Sequence, residues 1–386
     1  MKSPRTSPVS VKSVHEFVES VVGEDLHAKR VLSLAHATLG VVHAASLGVA
    51  AIGRGMAQAR SLDSKHAIKQ VDRLLSNTAI NVWELFASWV PYLVGERREI
   101  VVALDWTDFD ADDQTTLALH LLTNHGRATP LMWKTVVKSK LRGHRNEIED
   151  ELLERFKEVV PAETKVTVIA DRGFGDTLLY DYLKNDLGFD YVIRFRGNIK
   201  VTASNGETRD ASAWLSPSGR AVTLRDAQVT NQKSVVPTVI AVKKPKMKEG
   251  WFLASSLPGP ANPVIALYGR RFTIEENFRD TKDIRFGMGL SSSRISEPAR
   301  RDRVLLISAM AVVLLTLLGA AGEATGLDRR LKANTSKKRT HSLIFQGTYY
   351  YGALPNMREE QFQPLMAKFG EMLQQLAFFR QAFGLV

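Results

Sequence analysis

The stretch YGRRFTIEENFRDTKD, Tyr268–Asp283, interleaves arginines, carboxylates and a lysine with aromatic and aliphatic residues. On a helix turning about 100° per residue, Tyr268, Arg271, Glu275 and Lys282 fall within roughly 60° of one another, and Arg279 points the same way. Leu267, Ile274 and Phe278 gather on a neighbouring face that would fasten the helix to a core. One carboxylate is thus bracketed by cations on an anchored helix. Exposed i, i+4 pairs add only a few tenths of a kcal/mol. An ordered face of Tyr, Arg, Glu and Lys suits more demanding chemistry, in which a metal-binding acid sits beside groups that hold phosphate oxygens. Glu276 lies about 100° from Glu275, so the tandem acids are not interchangeable.

The rest of the chain favours an anionic polymer as partner. Its 386 residues carry a formal net charge of +11, which rewards contact with phosphates through counterion release. There is no cysteine, so thiolate metal sites are excluded and a reducing compartment is expected. MKSPRTSPVSVKSV has basic residues but no continuous apolar run after them, so no cleavable signal is read and the cytoplasm is the expected location. Val304–Gly322 is uncharged and long enough to span a bilayer. Flanked by Arg300, Arg301 and Arg303 and diluted by small residues, it reads as a buried helix, with no membrane partner.

Residues 1–95 read as a helical DNA-binding region. Ser64 is the expected cap of KHAIKQVDRLLSN, in which Lys65, Lys69 and Arg73 form one basic stripe. From 96 to 199 the texture alternates. EIVVALDWTDF, TTLALHLLT and ATPLMWKTVV read as an antiparallel meander, followed by helix, strand, helix and strand. Residues 200–257 read as a β-rich insertion. Residues 258–325 return to the core with a long helix carrying the opening stretch, and 326–386 form a basic and helical tail. The class is α/β, with a sheet of mixed direction.

Asp105, inside VVALDWTDF, and Asp171, ending VTVIAD, sit where apolar strands meet loops. Carboxylates there are costly unless paired or metal-bound. On adjacent strands they would repel without a cation between them, and hard oxygen donors favour Mg²⁺ or Mn²⁺. Asp108, Asp110, Asp112 and Asp113 crowd the same loop and read as solvated, and Asp176 as a helix cap.

Tyr268-x2-Arg271-x3-Glu275-x6-Lys282 resembles the Tyr-Arg-Glu-Lys motif of bacterial cut-and-paste transposases of the fourth insertion-sequence family. IEENFRDTKDIRFGMGLSSSR, DWTD, HGR at His125–Arg127, KHAIKQVDRLLSN and DRGF are similar to the subgroup containing the transposon-ten transposase. The resemblance runs from about residue 60 to 300. It implies an RNase H-like catalytic core interrupted by a β-strand insertion, with a DDE triad of Asp105, Asp171 and Glu275 binding two Mg²⁺ ions, for which Mn²⁺ substitutes. It implies DNA contacts by Tyr268, Arg271 and Lys282, a base-stacking Trp251, and supporting contacts from Arg194, Arg196 and Lys200. The implied partners are terminal inverted repeats, target DNA and a second copy of the chain in a synaptic complex. The implied reaction is cut-and-paste transposition through a hairpin. A metal-dependent nuclease on the same fold and an inactive DNA-binding relic remain as alternatives.

Overall fold

The computed structural model describes residues 9–374. The tail LAFFRQAFGLV, read as core or contact surface, lies outside the described residues. Five helices come first: α1 (Val11–Val22), α2 (Ala28–Ala44), α3 (Val49–Arg60), α4 (Ser64–Leu75) and α5 (Val82–Val94). In α4 the cap is Asp63 rather than Ser64, because the Asp63 carboxylate accepts the His66 N–H at 3.0 Å. A carboxylate at this position satisfies an otherwise orphan donor and faces the positive end of the helix. Lys65, Lys69 and Arg73 are all exposed.

Strands β1 (Glu99–Phe109), β2 (Gln114–Leu121) and β3 (Thr129–Val137) form the expected meander. Helix α6 (Arg145–Val159), strand β4 (Lys165–Ala170), the short α7 (Thr177–Asp181) and β5 (Asp190–Phe195) follow. Asp176 caps α7 as expected, accepting the Leu178 N–H. Next come β6 (Lys200–Thr202), β7 (Thr208–Asp210), β8 (Val222–Val229), β9 (Ser234–Val242) and β10 (Trp251–Ser255). All ten strands belong to one sheet, ordered β3-β2-β1-β4-β5-β10-β9-β8-β6-β7. β1, β4 and β5 are mutually parallel and the other pairings antiparallel. The strands between 200 and 255 therefore extend the sheet through β10, which pairs with β5.

The chain closes with α8 (Ala261–Gly269), α9 (Phe272–Lys282), α10 (Pro298–Ala324), α11 (Leu343–Ala353) and α12 (Glu359–Gln374). The long helix expected after Pro263 is broken. Arg270, Arg271, Thr273 and Ile274 donate their N–H groups to the carbonyls three residues earlier, a tighter step than the α-helical four. It separates α8 from α9.

The central strands are buried on both faces, which explains their near-continuous apolar runs. Ile100, Val102 and Leu104 of β1 join the large core built with α1–α6 and α10–α12. Val101 and Ala103 join a smaller core with Val264, Ile265, Tyr268 and Ile274 of α8 and α9. Helix α10 has the length and composition of a membrane span, yet 94% of its apolar window is buried inside the fold. Its crossing with α11 is so close that a Cβ on Gly347 would stand 1.8 Å from the Leu315 carbonyl oxygen.

Asp302 of α10 accepts the Thr135 N–H at 3.1 Å on the open edge of β3. Burial pushes its carboxyl up to about 7, against the opposing hydrogen bond from Thr135. A carboxyl raised in the fold favours the folded state while protonated, and that advantage is lost as the pH rises through 7. Asp302→Asn keeps an acceptor without the charge. It is expected to be more stable than the wild type at pH 8, by roughly 1–3 kcal/mol. Urea denaturation at pH 5 and pH 8 checks this, and a gap that does not widen with pH contradicts it.

Candidate active site

Alternation along the strands decides where the acids point. On β1, Val101 and Ala103 face α8 and α9, and Asp105 continues that series. On β4, Ile169 faces the same way, and Asp171 lies two residues on. The parallel pairing Leu104↔Ala170 sets Asp105, inside β1 where its pairing with β4 ends rather than at the strand end the sequence suggests, level with Asp171 just beyond β4; neighbouring strands lie about 4.8 Å apart. Asp105 Oδ1 accepts the Trp106 N–H at 2.9 Å. Asp171 Oδ1 accepts the Gly173 N–H at 2.7 Å, so Asp171 also orders the DRGF turn.

α9 lies over this end of the sheet. Arg271, buried at the break before it, donates to Asp105 Oδ2 at 3.1 Å and to Glu275 Oε1. One guanidinium thus ties the third acid to the first. Burial pushes the Asp105 carboxyl up to about 6; Arg271 opposes the rise, while Asp171 and Glu275 reinforce it. The mutual repulsion expected of three gathered acids is therefore felt at Asp105. Among the described residues no three Asp, Glu or His side chains converge tightly enough to hold an ion; Arg271 supplies the positive charge here. All the donors are carboxylate oxygens, chemistry that fits a hard divalent cation.

Glu276 faces elsewhere. Arg127 donates to Glu276 Oε2 at 2.9 Å and to Asp280 Oδ2 at 2.5 Å. This clamp from the β2–β3 connection fixes the rotation of α9, and its sequence signal was the HGR motif. Lys282 also reaches β1, donating to Thr107 Oγ1 at 3.1 Å and to the Asp108 carbonyl. Arg271, Glu275 and Lys282 therefore share a face directed at the end of β1.

Tyr268 reaches Arg271 from across the break, its side chain hydrogen-bonded to the guanidinium. It is 1% exposed and meets Trp251 edge-on at 5.0 Å. The helical break lies between Tyr268 and Arg271, so the two do not share one continuous helical wheel. Trp251 is half-buried at the start of β10. The residue missed beside it is Phe272, exposed and 6.3 Å from the indole at an angle of 34°. Arg194 lies on the same sheet face, paired with Glu249 at 2.8 Å. Arg196 is exposed, and Lys200 pairs with Asp210 at 2.8 Å. Lys65, Lys69 and Arg73 lie on α4, which packs into the other core.

Asp108 and Asp110 share Lys138 and remain solvent-facing. Asp112 does not: its side chain is 8% exposed and pairs with the fully buried Arg301 at 2.6 Å. Proximity in sequence hid this, because Arg301 arrives from α10. A second network sits behind DRGF. Trp106 Nε1 donates to Glu149 at 2.7 Å, and Arg145 donates to the same carboxylate at 2.8 Å while lying over Trp106.

A family model described as the transposase DDE domain matches residues 96–314, more than half of the 386-residue chain. No curated protein matches the chain.

Proposed function

Because this chain belongs to the transposase DDE-domain family, we propose that it excises an insertion sequence and joins it to target DNA, with Asp105, Asp171 and Glu275 as its catalytic acids. The observation that carries this reading is the register match of Asp105 and Asp171 on adjacent parallel strands, with Glu275 joined to Asp105 through Arg271. Bound by these three carboxylates, two Mg²⁺ ions would stabilise the attacking and leaving oxygens of an in-line displacement.

Each step is the same displacement with a new nucleophile. Water frees a 3′-OH at the end of the element. That hydroxyl attacks the opposite strand to close a hairpin, water reopens it, and the same hydroxyl attacks the target. The chain's own residues position these reactants. Arg271 and Arg194 bring their guanidinium groups to the same sheet face as the acids, donors that suit phosphate oxygens. Trp251 and exposed Phe272 offer ring faces on which a base at the cut end stacks. Lys282 braces the end of β1, with its charge close to the same strand. Tyr268 acts through Trp251, whose ring it holds. Arg196, Lys200 and the α4 stripe of Lys65, Lys69 and Arg73 contact the backbone farther out, with a second copy of the chain completing the synaptic complex.

Incubation with a plasmid carrying the DNA that flanks the gene tests this. Nicking at defined ends and joined products are expected with Mg²⁺ or Mn²⁺, and neither with EDTA. Nicks without joined products would support the plain nuclease instead. DNA binding without nicks would support the relic.

A further inference from the structure

Exposed apolar groups stand at both ends of α9. At its start is Phe272, beside Trp251. Beyond its end, Ile284 is 70% and Phe286 78% exposed, with exposed Arg285 between them. The turn that carries them is braced. The Asp283 carboxylate accepts the N–H groups of Arg285 and Phe286, both at 2.7 Å. Met288 donates its N–H to the Asp280 carbonyl at 2.7 Å, and Gly289 to that of Asp283 at 3.0 Å. A Cβ on Gly287 would stand 2.2 Å from the Asp280 carbonyl oxygen, so the fold-back admits only glycine. Met288 and Leu290 are buried and pin the turn from below. Two large apolar side chains therefore project from a fixed support.

A cleft beside this knuckle is lined by Thr107, Arg279, Lys282, Ile284, Ser291 and Ser292, along with Phe278 and Asp283. Thr107 stands two residues beyond Asp105 on β1. Two cations and two serine hydroxyls suit a phosphate backbone. The one acid in the lining, Asp283, is committed to backbone donors. Apolar tips flanked by phosphate-binding groups are the chemistry of side chains that wedge between base steps and kink a duplex.

We infer that Ile284 and Phe286 wedge into the target duplex and bend it toward the acids. This rests on the transposase reading above. Target rather than donor follows from position: the 11-residue α9 separates the knuckle from the Trp251–Phe272 pair by about 16 Å. Strand transfer needs a second duplex beside the first, and the far end of α9 is where this surface lies.

The test compares wild type with I284A/F286A, whose substituted side chains are exposed and whose Tm should be unchanged. The probe is a duplex without element ends, carrying 2-aminopurine at its centre. Wild-type binding is expected to raise its fluorescence by unstacking. The variant should lose most of that rise while keeping its salt-dependent affinity. Transfer into an intact target should fall about tenfold or more, and recover to within about threefold on a target with an unpaired bulge that is already kinked. Nicking at element ends should be unaffected.

The inference is overturned if wild type causes no unstacking, or if transfer falls equally on intact and bulged targets. Parallel loss of end nicking would move the surface to the donor duplex. A changed oligomeric state with no DNA effect would assign it to a second copy of the chain. Wild type that unstacks the probe but never nicks counts against the transposase reading, not against the wedge.

Discussion

Glu275→Gln is expected to lower end cleavage by roughly 10³-fold or more, the scale seen when one member of a catalytic unit is removed. Glu276→Gln should stay within about fivefold of wild type, the most that loss of a partly exposed ion pair removes. The two residues are adjacent in sequence and chemically identical, so only their surroundings separate them. Glu275 is tied through Arg271 to Asp105, where the parallel pairing of β1 with β4 ends. Glu276 is held by Arg127, which keeps Asp280 as a second partner when Glu276 is neutralised. Asp105→Asn and Asp171→Asn should match Glu275→Gln. Single-turnover nicking of an end-containing duplex, with binding measured in parallel, checks the set. Equal damage from both glutamine variants would mean that α9 is rotated from the orientation described.

Arg301→Ala is expected to cost about 3–5 kcal/mol in urea denaturation, the cost of leaving a buried charge without its partner. Arg301 is fully buried, donates to Gln114 and Asp112, each at 2.6 Å, and lies 3.8 Å from the centre of the Phe109 ring. Truncation leaves the buried Asp112 carboxylate only the Ile295 N–H at 3.2 Å and the exposed Arg294 at 3.7 Å, and opens a cavity against Phe109. Replacing both partners with apolar groups, as in Arg301→Met with Asp112→Leu, should recover most of the loss, because the desolvation cost then disappears from both sides. If the single variant is as stable as wild type, Asp112 finds water when its partner is removed, and the pair does not hold α10 to the turn between β1 and β2.

Much of the site could be read locally. Asp105 and Asp171 stand at the ends of apolar runs, and each run folds as the strand its alternation suggests. Glu275 and Lys282 keep their common face because both lie within α9. What could not be read is that Tyr268 is buried while it meets Arg271. Its angle was extrapolated across a two-residue break whose carbonyl partners lie three rather than four residues back, and no side-chain periodicity records such a change. Asp112 failed because its partner is 189 residues away. Sequence spacing reports only neighbours on the same element.

By itself, the sequence determined the elements and their chemistry: apolar runs for strands, a basic surplus for a polyanion partner, and carboxylates at strand ends for a hard cation. These are short-range properties, set by backbone preference and by what each side chain loses on leaving water. Tertiary structure alone decided which charges are neutralised and by what. It placed Arg271 between two acids, gave Arg127 to Glu276 and Asp280, and buried Arg301 against Asp112. Coulomb energies depend on distance and local dielectric, and both are products of how distant segments pack.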